Sequence, residues 1–215
     1  MNIAVFGQSG TGKSTYAASL FASLYENVDH AVVISDNFDD IDRVARLLED
    51  KDIMHVEVTS KNIDKINFSA LAKANTDNIL AIECVNLVTE EIADMMDDLC
   101  ESIYTIGNYL VYIDEAHIFL PRLKCSVAAE RLWRGGRKHA ITNIAVTQQL
   151  RDLRDVVLKQ AHYMIIFKMT QHNELDMLKA YIDVDLIKDL DDYECIVLDR
   201  LRGKINISKS DLLVL

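Results

Sequence analysis

Short apolar runs alternate along the chain with longer segments whose apolar residues recur at helical spacing. The runs have strand length and are rich in β-branched residues, so they predict buried strands. The expected strands are 2–6, 31–35, 53–58, 79–84, 109–113, 143–147, 163–168, 194–199 and 204–208. The expected helices are 13–25, 39–49, 89–104, 126–134, 152–160 and 172–182. This alternation predicts an α/β fold whose mostly parallel sheet is flanked by helices on both faces.

The size and composition favour a single domain spanning 1–215. The chain has 215 residues, half of them hydrophobic, and a single proline, so no proline-rich linker divides it. Segment 200–203 is typical of a turn and lies between the last two expected strands, which predicts a C-terminal antiparallel hairpin. In a parallel sheet of this kind, ligands bind at the carboxyl ends of the strands.

The first expected strand runs into a glycine-rich segment at its carboxyl end. Residues 7–14 read Gly-Gln-Ser-Gly-Thr-Gly-Lys-Ser, the pattern of a phosphate-binding loop, and a helix is expected directly after it. We expect Lys13 to reach the β- and γ-phosphates of ATP, Ser14 to bind Mg²⁺, and Thr15 to touch the α-phosphate. The alternative is a glycine-rich turn without a ligand. The predicted nucleotide-binding residues are Gly7, Gln8, Ser9, Gly10, Thr11, Gly12, Lys13, Ser14 and Thr15.

A second motif follows the strand 109–113, which ends in Asp114 and Glu115. We expect Asp114 to share the Mg²⁺ shell with Ser14, and Glu115 to orient and deprotonate the attacking water. A hydrophobic run followed by two acidic residues is weak evidence alone, and Asp114 could instead cap the next helix. Together with the phosphate-binding loop it predicts ATP hydrolysis.

Polar and basic residues around the next strand complete the candidate site. Gln148 follows the strand 143–147, where its amide could contact both the γ-phosphate and the attacking water; the alternative is a solvated loop glutamine. Arg134 and Arg137 lie at and beyond the end of a predicted helix. Either could act on a neighbouring subunit's γ-phosphate, or simply complement the helix dipole.

The charge is distributed unevenly. The net charge is −11, but the segment 122–159 holds nine Lys and Arg against three Asp and Glu. A globally acidic chain can therefore still present a basic edge to an anionic partner. The four cysteines form no Cys-x-x-Cys pair, which favours free thiols in a reducing cytoplasm. No apolar run approaches the length of a membrane span.

The stretch 109–167, read with the loop at 7–15, resembles the HerA/FtsK superfamily of P-loop DNA-pumping ATPases. The shared elements are a strand ending in Asp-Glu, an arginine-bearing helix end, and a strand closing on Thr147 and Gln148. Aligned on Thr147 and Gln148, Arg137 falls at the family's trans-acting arginine, with Arg134 as the second choice. In size the chain is similar to stand-alone viral genome-packaging ATPases, and we expect no further domain beside the ATPase.

The resemblance implies a function and a set of partners. It implies a homo-hexameric ring that translocates double-stranded DNA without sequence preference, with a capsid or membrane vertex protein as a further partner. The implied location is the host cytoplasm or a virion vertex. Segment 114–121 also resembles the Zot-like assembly ATPases of filamentous phages, so DNA export or processing is an alternative.

Other nucleotide-dependent functions stay open to different degrees. A small-molecule kinase is the main rival, although kinases of this size usually lack the Asp-Glu pair and need no polar sensor. The string that starts at Asp114 and ends at His117 is typical of a DEAH-box helicase, but such enzymes need two motor lobes. His117 is then interpreted as a structural helix residue. The sequence contains no guanine-recognition motif, which argues against a GTPase. Glu115 argues against a scaffold that binds nucleotide without hydrolysing it.

Overall fold

The structure, a computed structural model, describes residues 1–48, 51–75 and 78–209. Its strands, β1 to β9, are Asn2–Phe6, His30–Ser35, Ile53–Val58, Ile79–Cys84, Tyr109–Ile113, Thr142–Thr147, Tyr163–Phe167, Glu194–Asp199 and Lys204–Lys209. Every expected strand is present, and its bounds differ by at most one residue. The expectation was accurate because an apolar run of strand length is a local property of the sequence.

The strands form one sheet in the order β3-β4-β2-β5-β6-β1-β7-β8-β9. Every neighbouring pair from β3 to β7 is parallel, whereas β8 runs antiparallel to both β7 and β9. The mostly parallel α/β fold and the C-terminal hairpin are therefore confirmed. β1 lies between β6 and β7, so the segment after β1 leaves the middle of the sheet.

The helices of the described segments differ more from expectation than the strands. They are, as α1 to α9, Lys13–Tyr25, Phe38–Leu47, Phe68–Ala74, Thr89–Ile106, Ala116–Phe119, Val127–Gly135, Asp155–Gln160, His172–Leu178 and Asp185–Lys188. The sequence pattern did not indicate α3, α5 and α9, which are too short to show a clear helical period. The expected helix 39–49 corresponds to α2, and its residue 49 lies outside the described residues.

Two of the expected helices were too long. Residues 152–154 are not helical, because Leu153 forms a β-bridge with Pro121 before α7 begins at Asp155. The expected helix 172–182 ends at Leu178. Both corrections shorten a helix where loop contacts replace the helical hydrogen bonds.

Two buried clusters lie on the two faces of the sheet. One face packs α1 and α2 against the sheet, with Tyr16, Phe21 and Ile41 in its core. The other packs α4, α6 and α7, and Trp133 and Leu99 lie in that core. Among the described helices, none has both the length and the apolar character needed to cross a membrane.

Candidate active site

The glycine loop between β1 and α1 folds tightly against the sheet. A Cβ at Gly7 would lie 2.6 Å from Cβ of Phe167, so only glycine fits there. The hydroxyl of Thr11 donates to the carbonyl oxygen of Gln8 over 2.8 Å and closes the loop on itself. Gly12 has φ +95°, a left-handed conformation that glycine adopts without strain, and it is the N-cap of α1. The local sequence thus imposes the cradle shape that a phosphate requires.

The amino end of α1 is left open toward this loop. Among the described residues, no side chain caps α1, and no acidic residue lies in its first turn. Its first backbone N–H groups and the positive end of its dipole are therefore available to an anion. Lys13 is buried, Ser14 is partly exposed and Thr15 is exposed beside it.

Asp114 lies at the carboxyl end of β5, and its carboxylate is almost completely buried. The Tyr112 hydroxyl donates to its Oδ2 over 2.9 Å, and the Glu115 backbone N–H donates to its Oδ1 over 2.9 Å. Burial, reinforced by the nearby charge of Asp40, raises the pKa of Asp114 to about 6. A buried carboxylate under such repulsion is suited to a cation, which would relieve both effects.

Glu115 and Gln148 are in direct contact. Gln148 Nε2 donates to Glu115 Oε1 over 3.0 Å, which joins the ends of β5 and β6. The other carboxylate oxygen, Oε2, is buried, accepts no hydrogen bond from a described residue, and lies 3.4 Å from Nδ1 of His117. Burial by itself would raise the pKa of Glu115, but His117 and Lys13 outweigh it, and the pKa is lower than usual. Glu115 is therefore ionised, with Oε1 held by Gln148 and Oε2 beside His117.

His117 lies closer to this site than the sequence suggested. Its Nδ1 is hydrogen-bonded to Thr147 Oγ1 over 3.0 Å, on the strand that leads to Gln148. We interpreted His117 from sequence as a structural helix residue, whereas the structure makes it a neighbour of Glu115. The spacing gave no signal for this contact, since residues two positions apart on a regular helix do not face each other.

Two further carboxylates border the site: Asp36 directly follows β2, and Asp40 lies in the first turn of α2. Burial, with smaller contributions from Glu115 and Asp40, raises the pKa of Asp36. Asp40 accepts hydrogen bonds from Ser35 Oγ over 3.2 Å and from Arg43 Nη1 over 2.7 Å. From sequence we assigned no role to this acidic segment, although Asp36 follows a strand as directly as Asp114 does. The structure thus surrounds Asp114 with more negative charge than the motif implied.

The structure does not bring Arg134 or Arg137 to the phosphate loop of the same chain. Arg137 lies in the 3₁₀ turn Gly136–His139, directly before β6, whereas Gln148 follows the same strand. Its charge helps burial to lower the pKa of the Met1 amine to about 6, so it lies near the start of β1. A six-residue strand, about 20 Å long, separates that edge from the loop. Both arginines are exposed.

Part of the basic segment 122–159 gathers around one cavity of about 390 Å³ between α6 and α7. Its basic lining residues are Arg122, Arg134, Arg154 and Lys159. Glu130 pairs with Arg154 and with Arg134, at 2.5 and 3.2 Å, and so fixes two of these guanidinium groups. The fold therefore gathers around this cavity part of the positive charge that the sequence places in segment 122–159.

Comparison with known proteins gives a family match. The AAA_22 family, described as "AAA domain", matches residues 1–178. A search of curated protein sequences finds no match. The family match covers the loop at 7–15, Asp114, Glu115 and Gln148, and therefore includes every predicted residue at the carboxyl edge of the sheet.

Several solved structures share the fold. The genome packaging NTPase B204 from Sulfolobus turreted icosahedral virus 2, in complex with ATP-gammaS, has a TM-score of 0.68 and 17% identity over 96% of this chain and 95% of that chain. The DNA-packaging ATPase B204 from Sulfolobus turreted icosahedral virus has a TM-score of 0.67 and 19% identity over 96% of each chain. VirB4 of Thermoanaerobacter pseudethanolicus has a TM-score of 0.67 and 10% identity over 97% of this chain and 88% of that chain.

These likenesses agree with the resemblance to packaging ATPases drawn from the motifs. At identities this low they establish the shared fold, while the roles of individual side chains rest on the geometry described above.

Proposed function

The chain belongs to the AAA domain family of P-loop proteins, and from that premise we propose that it is an ATP-driven translocase of double-stranded DNA. One observation carries the proposal: the loop at 7–15, Asp114, Glu115 and Gln148 meet at one edge of the sheet, with Glu115 and Gln148 hydrogen-bonded. The likeness to B204, a viral genome packaging NTPase, supports genome packaging as the biological use.

In this proposal the loop holds the triphosphate of ATP. Its amides and the open amino end of α1 bind the phosphate oxygens, Lys13 neutralises the β- and γ-phosphates, and Thr15 contacts the α-phosphate. Ser14 and Asp114 hold Mg²⁺, which supplies charge neutralisation at the phosphates. The raised pKa of Asp114 supports this role, since a bound cation would favour its ionised form.

Hydrolysis is assigned to Glu115 and Gln148. Glu115 accepts the proton of the attacking water, while Gln148 holds its Oε1 and so fixes the plane of the carboxylate. Because Gln148 is bonded to the proposed base and lines a cavity with Gln8 and Ser9 of the phosphate loop, we expect departure of the γ-phosphate to release its amide. Gln148 is therefore the proposed sensor of the nucleotide state.

The arginines support assembly into a ring, which we propose to be a homo-hexamer. Arg137 is exposed at the edge opposite its own loop, so a γ-phosphate that it contacts would belong to a neighbouring subunit. Arg134 is the weaker choice, because Glu130 already pairs with it and it lines the basic cavity. The ring would act in the host cytoplasm or at a virion vertex, where a capsid or membrane protein would anchor it.

The basic cavity between α6 and α7 is the proposed DNA contact. Its four cations suit the phosphate backbone, which is the same for every sequence, and a packaging motor must pass all sequences. The acidic remainder of the surface would repel DNA elsewhere and confine binding to this face.

The test is ATP hydrolysis with and without duplex DNA at salt concentrations between about 50 and 200 mM, the range over which phosphate contacts weaken strongly. We expect DNA to stimulate hydrolysis, the stimulation to fall with salt, and Glu115→Gln to bind ATP without hydrolysing it. Hydrolysis that ignores DNA at every salt concentration would overturn the translocase. Transfer of the γ-phosphate to a nucleoside would identify a kinase instead, and native mass spectrometry with ATP and DNA tests the hexamer.

A further inference from the structure

A cavity of about 280 Å³ opens directly over the phosphate loop and includes two side chains from distant parts of the chain. Its loop lining is Ser9, Gly10, Gly12, Lys13, Ser14 and Thr15. The two additions are Arg43 from α2 and Tyr193 from the turn before β8. Neither belongs to a nucleotide motif, and both line the cavity in which the loop would hold a nucleotide.

Tyr193 reaches this position because β8 is antiparallel. Cys195 pairs with Phe167 at the end of β7, so β8 begins at the sheet edge that carries the phosphate loop. Cys195 lies on the side of the sheet covered by α1, and Tyr193, in the turn directly before β8, lines the cavity over the phosphate loop. The topology thus places an aromatic ring beside the amino end of α1.

The exposure of Tyr193 is unusual for an aromatic residue held in an ordered turn. Its residue exposure is 59%, and its backbone has φ +65°, a conformation that non-glycine residues rarely adopt. The turn is fixed on both sides, since the Glu194 N–H donates to the Asp191 carbonyl oxygen and the Asp191 N–H donates to Glu194 Oε2. A flat apolar ring held open over a polar cavity is suited to a planar ligand.

Arg43 borders the same cavity from the opposite flank of α1. Its Nη1 donates to Asp40 Oδ1 over 2.7 Å, and Asp40 is itself held by Ser35. Only one guanidinium edge is used in that pair, so the remaining donors can reach the α-phosphate or the ribose. Arg43 thus adds a second fixed cation beside Lys13.

We propose that Tyr193 stacks on the base of the bound purine nucleotide, and that Arg43 holds the α-phosphate end. This inference rests on the proposed nucleotide site and assigns it the groups that recognise the nucleoside. Stacking on an aromatic ring is strong for every base and greater for purines than for the smaller pyrimidines. Tyr193 therefore supplies affinity for the nucleoside, whereas Lys13 supplies affinity for the phosphates.

The test compares two ligands by isothermal titration calorimetry with Mg²⁺ present: AMPPCP, which carries the base, and tripolyphosphate, which does not. We expect Tyr193→Ala to lower the affinity for AMPPCP about tenfold, since stacking is removed. The affinity for tripolyphosphate should stay within about twofold of the wild-type value. Tyr193→Phe keeps the ring and should match the wild type. Arg43→Ala should lower the affinity for both ligands. Tyr193 is exposed, and unchanged thermal unfolding of each variant would show that the fold is intact.

The outcomes separate this proposal from the proposed function. If the wild type binds both ligands and Tyr193→Ala changes neither affinity, the base contact is overturned while the phosphate site stands. If Leu47→Ala weakens AMPPCP instead, the base lies in the neighbouring cavity lined by Thr15, Arg43 and Leu47, and the assignment to Tyr193 is wrong. If the wild type binds neither ligand, both proposals fail.

Discussion

Gln148 Nε2 and Glu115 Oε1 are 3.0 Å apart and joined by a hydrogen bond, although 33 residues separate them in sequence. The bond exists because β5 and β6 are parallel neighbours whose carboxyl ends meet at one edge. The bond holds Oε1 of the carboxylate, whereas Oε2 accepts no hydrogen bond from a described residue. The bond therefore links the residue proposed to sense the γ-phosphate directly to the one proposed to activate water.

Replacing Gln148 should slow chemistry more than binding. With Gln148→Ala the carboxylate of Glu115 loses its orienting donor, and we expect kcat to fall about 10- to 100-fold with KM within about threefold. Gln149→Ala, one residue further along, is the matched control and should stay within about twofold of the wild-type rate. Steady-state ATP hydrolysis measures both. Equal reductions in the two variants would show that Gln148 acts only through the loop's structure.

His117 should set the pH range of the reaction. Its proximity helps to hold the pKa of Glu115 below the usual value, so His117→Ala should raise that pKa. A base with a higher pKa is protonated at a higher pH, and the acidic limb of the kcat profile should move upward in pH. His117→Asn can still form a hydrogen bond with Thr147. This variant should restore the rate of ATP hydrolysis at pH 8, while the acidic limb of its kcat profile should stay shifted. An unmoved acidic limb in His117→Ala would contradict this positioning role.

Asp114→Asn should stabilise the nucleotide-free protein at neutral pH. The folded state raises the pKa of Asp114 to about 6, above its unfolded value, so it holds the proton more tightly than the unfolded chain. Stability from this group is full below the unfolded pKa and is lost as the pH rises through 6. At pH 8 the ionised carboxylate costs about 2 to 3 kcal/mol in the absence of a cation, an order-of-magnitude figure.

Urea unfolding of the wild type and Asp114→Asn, at pH 5 and pH 8 without Mg²⁺, measures this effect. The variant should gain stability over the wild type at pH 8 and keep about half of that advantage at pH 5, because pH 5 lies between the unfolded and folded pKa values of Asp114. Added Mg²⁺ and AMPPCP should stabilise only the wild type. A variant less stable than the wild type at pH 8 would mean that the hydrogen bonds from Tyr112 and Glu115 outweigh the burial cost.

Arg137 should act across a subunit interface. Arg137→Ala should lower kcat about 10³-fold without weakening ATP binding, since a trans-acting arginine contributes at least that much. Lys138→Ala, in the same exposed turn, is the control. Mixing inactive Arg137→Ala with inactive Lys13→Ala should restore part of the activity, because some interfaces then combine an intact loop with an intact arginine. A mixture as inactive as its components would assign Arg137 no role in trans.

The basic cavity should determine the salt dependence of DNA binding. Replacing Arg122 and Lys159 together by Ala should reduce the slope of log K against log salt by about two, because each side chain neutralises one phosphate. Arg46→Ala removes an exposed arginine of α2, on the opposite face of the sheet, and should leave the slope unchanged. Fluorescence anisotropy with a labelled duplex measures the slopes. An unchanged slope in the double variant would move the DNA-binding surface elsewhere.

The sequence alone determined the strands, the glycine loop and the residues at the strand ends. These are local features: an apolar run, a loop that only glycine can form, and an acidic pair after a strand each depend on residues next to one another. The match to the AAA domain family and the observed fold agree with that prediction.

The tertiary structure decided what depends on the order of the strands. The pattern of hydrophobic residues is the same whichever neighbour a strand has, so it could not place Gln148 against Glu115. The same reason hid Arg43 and Tyr193, which lie about 150 residues apart and meet over the phosphate loop because β8 reverses direction beside β7. Contacts between distant segments arise from packing of the whole chain, and no local pattern records them.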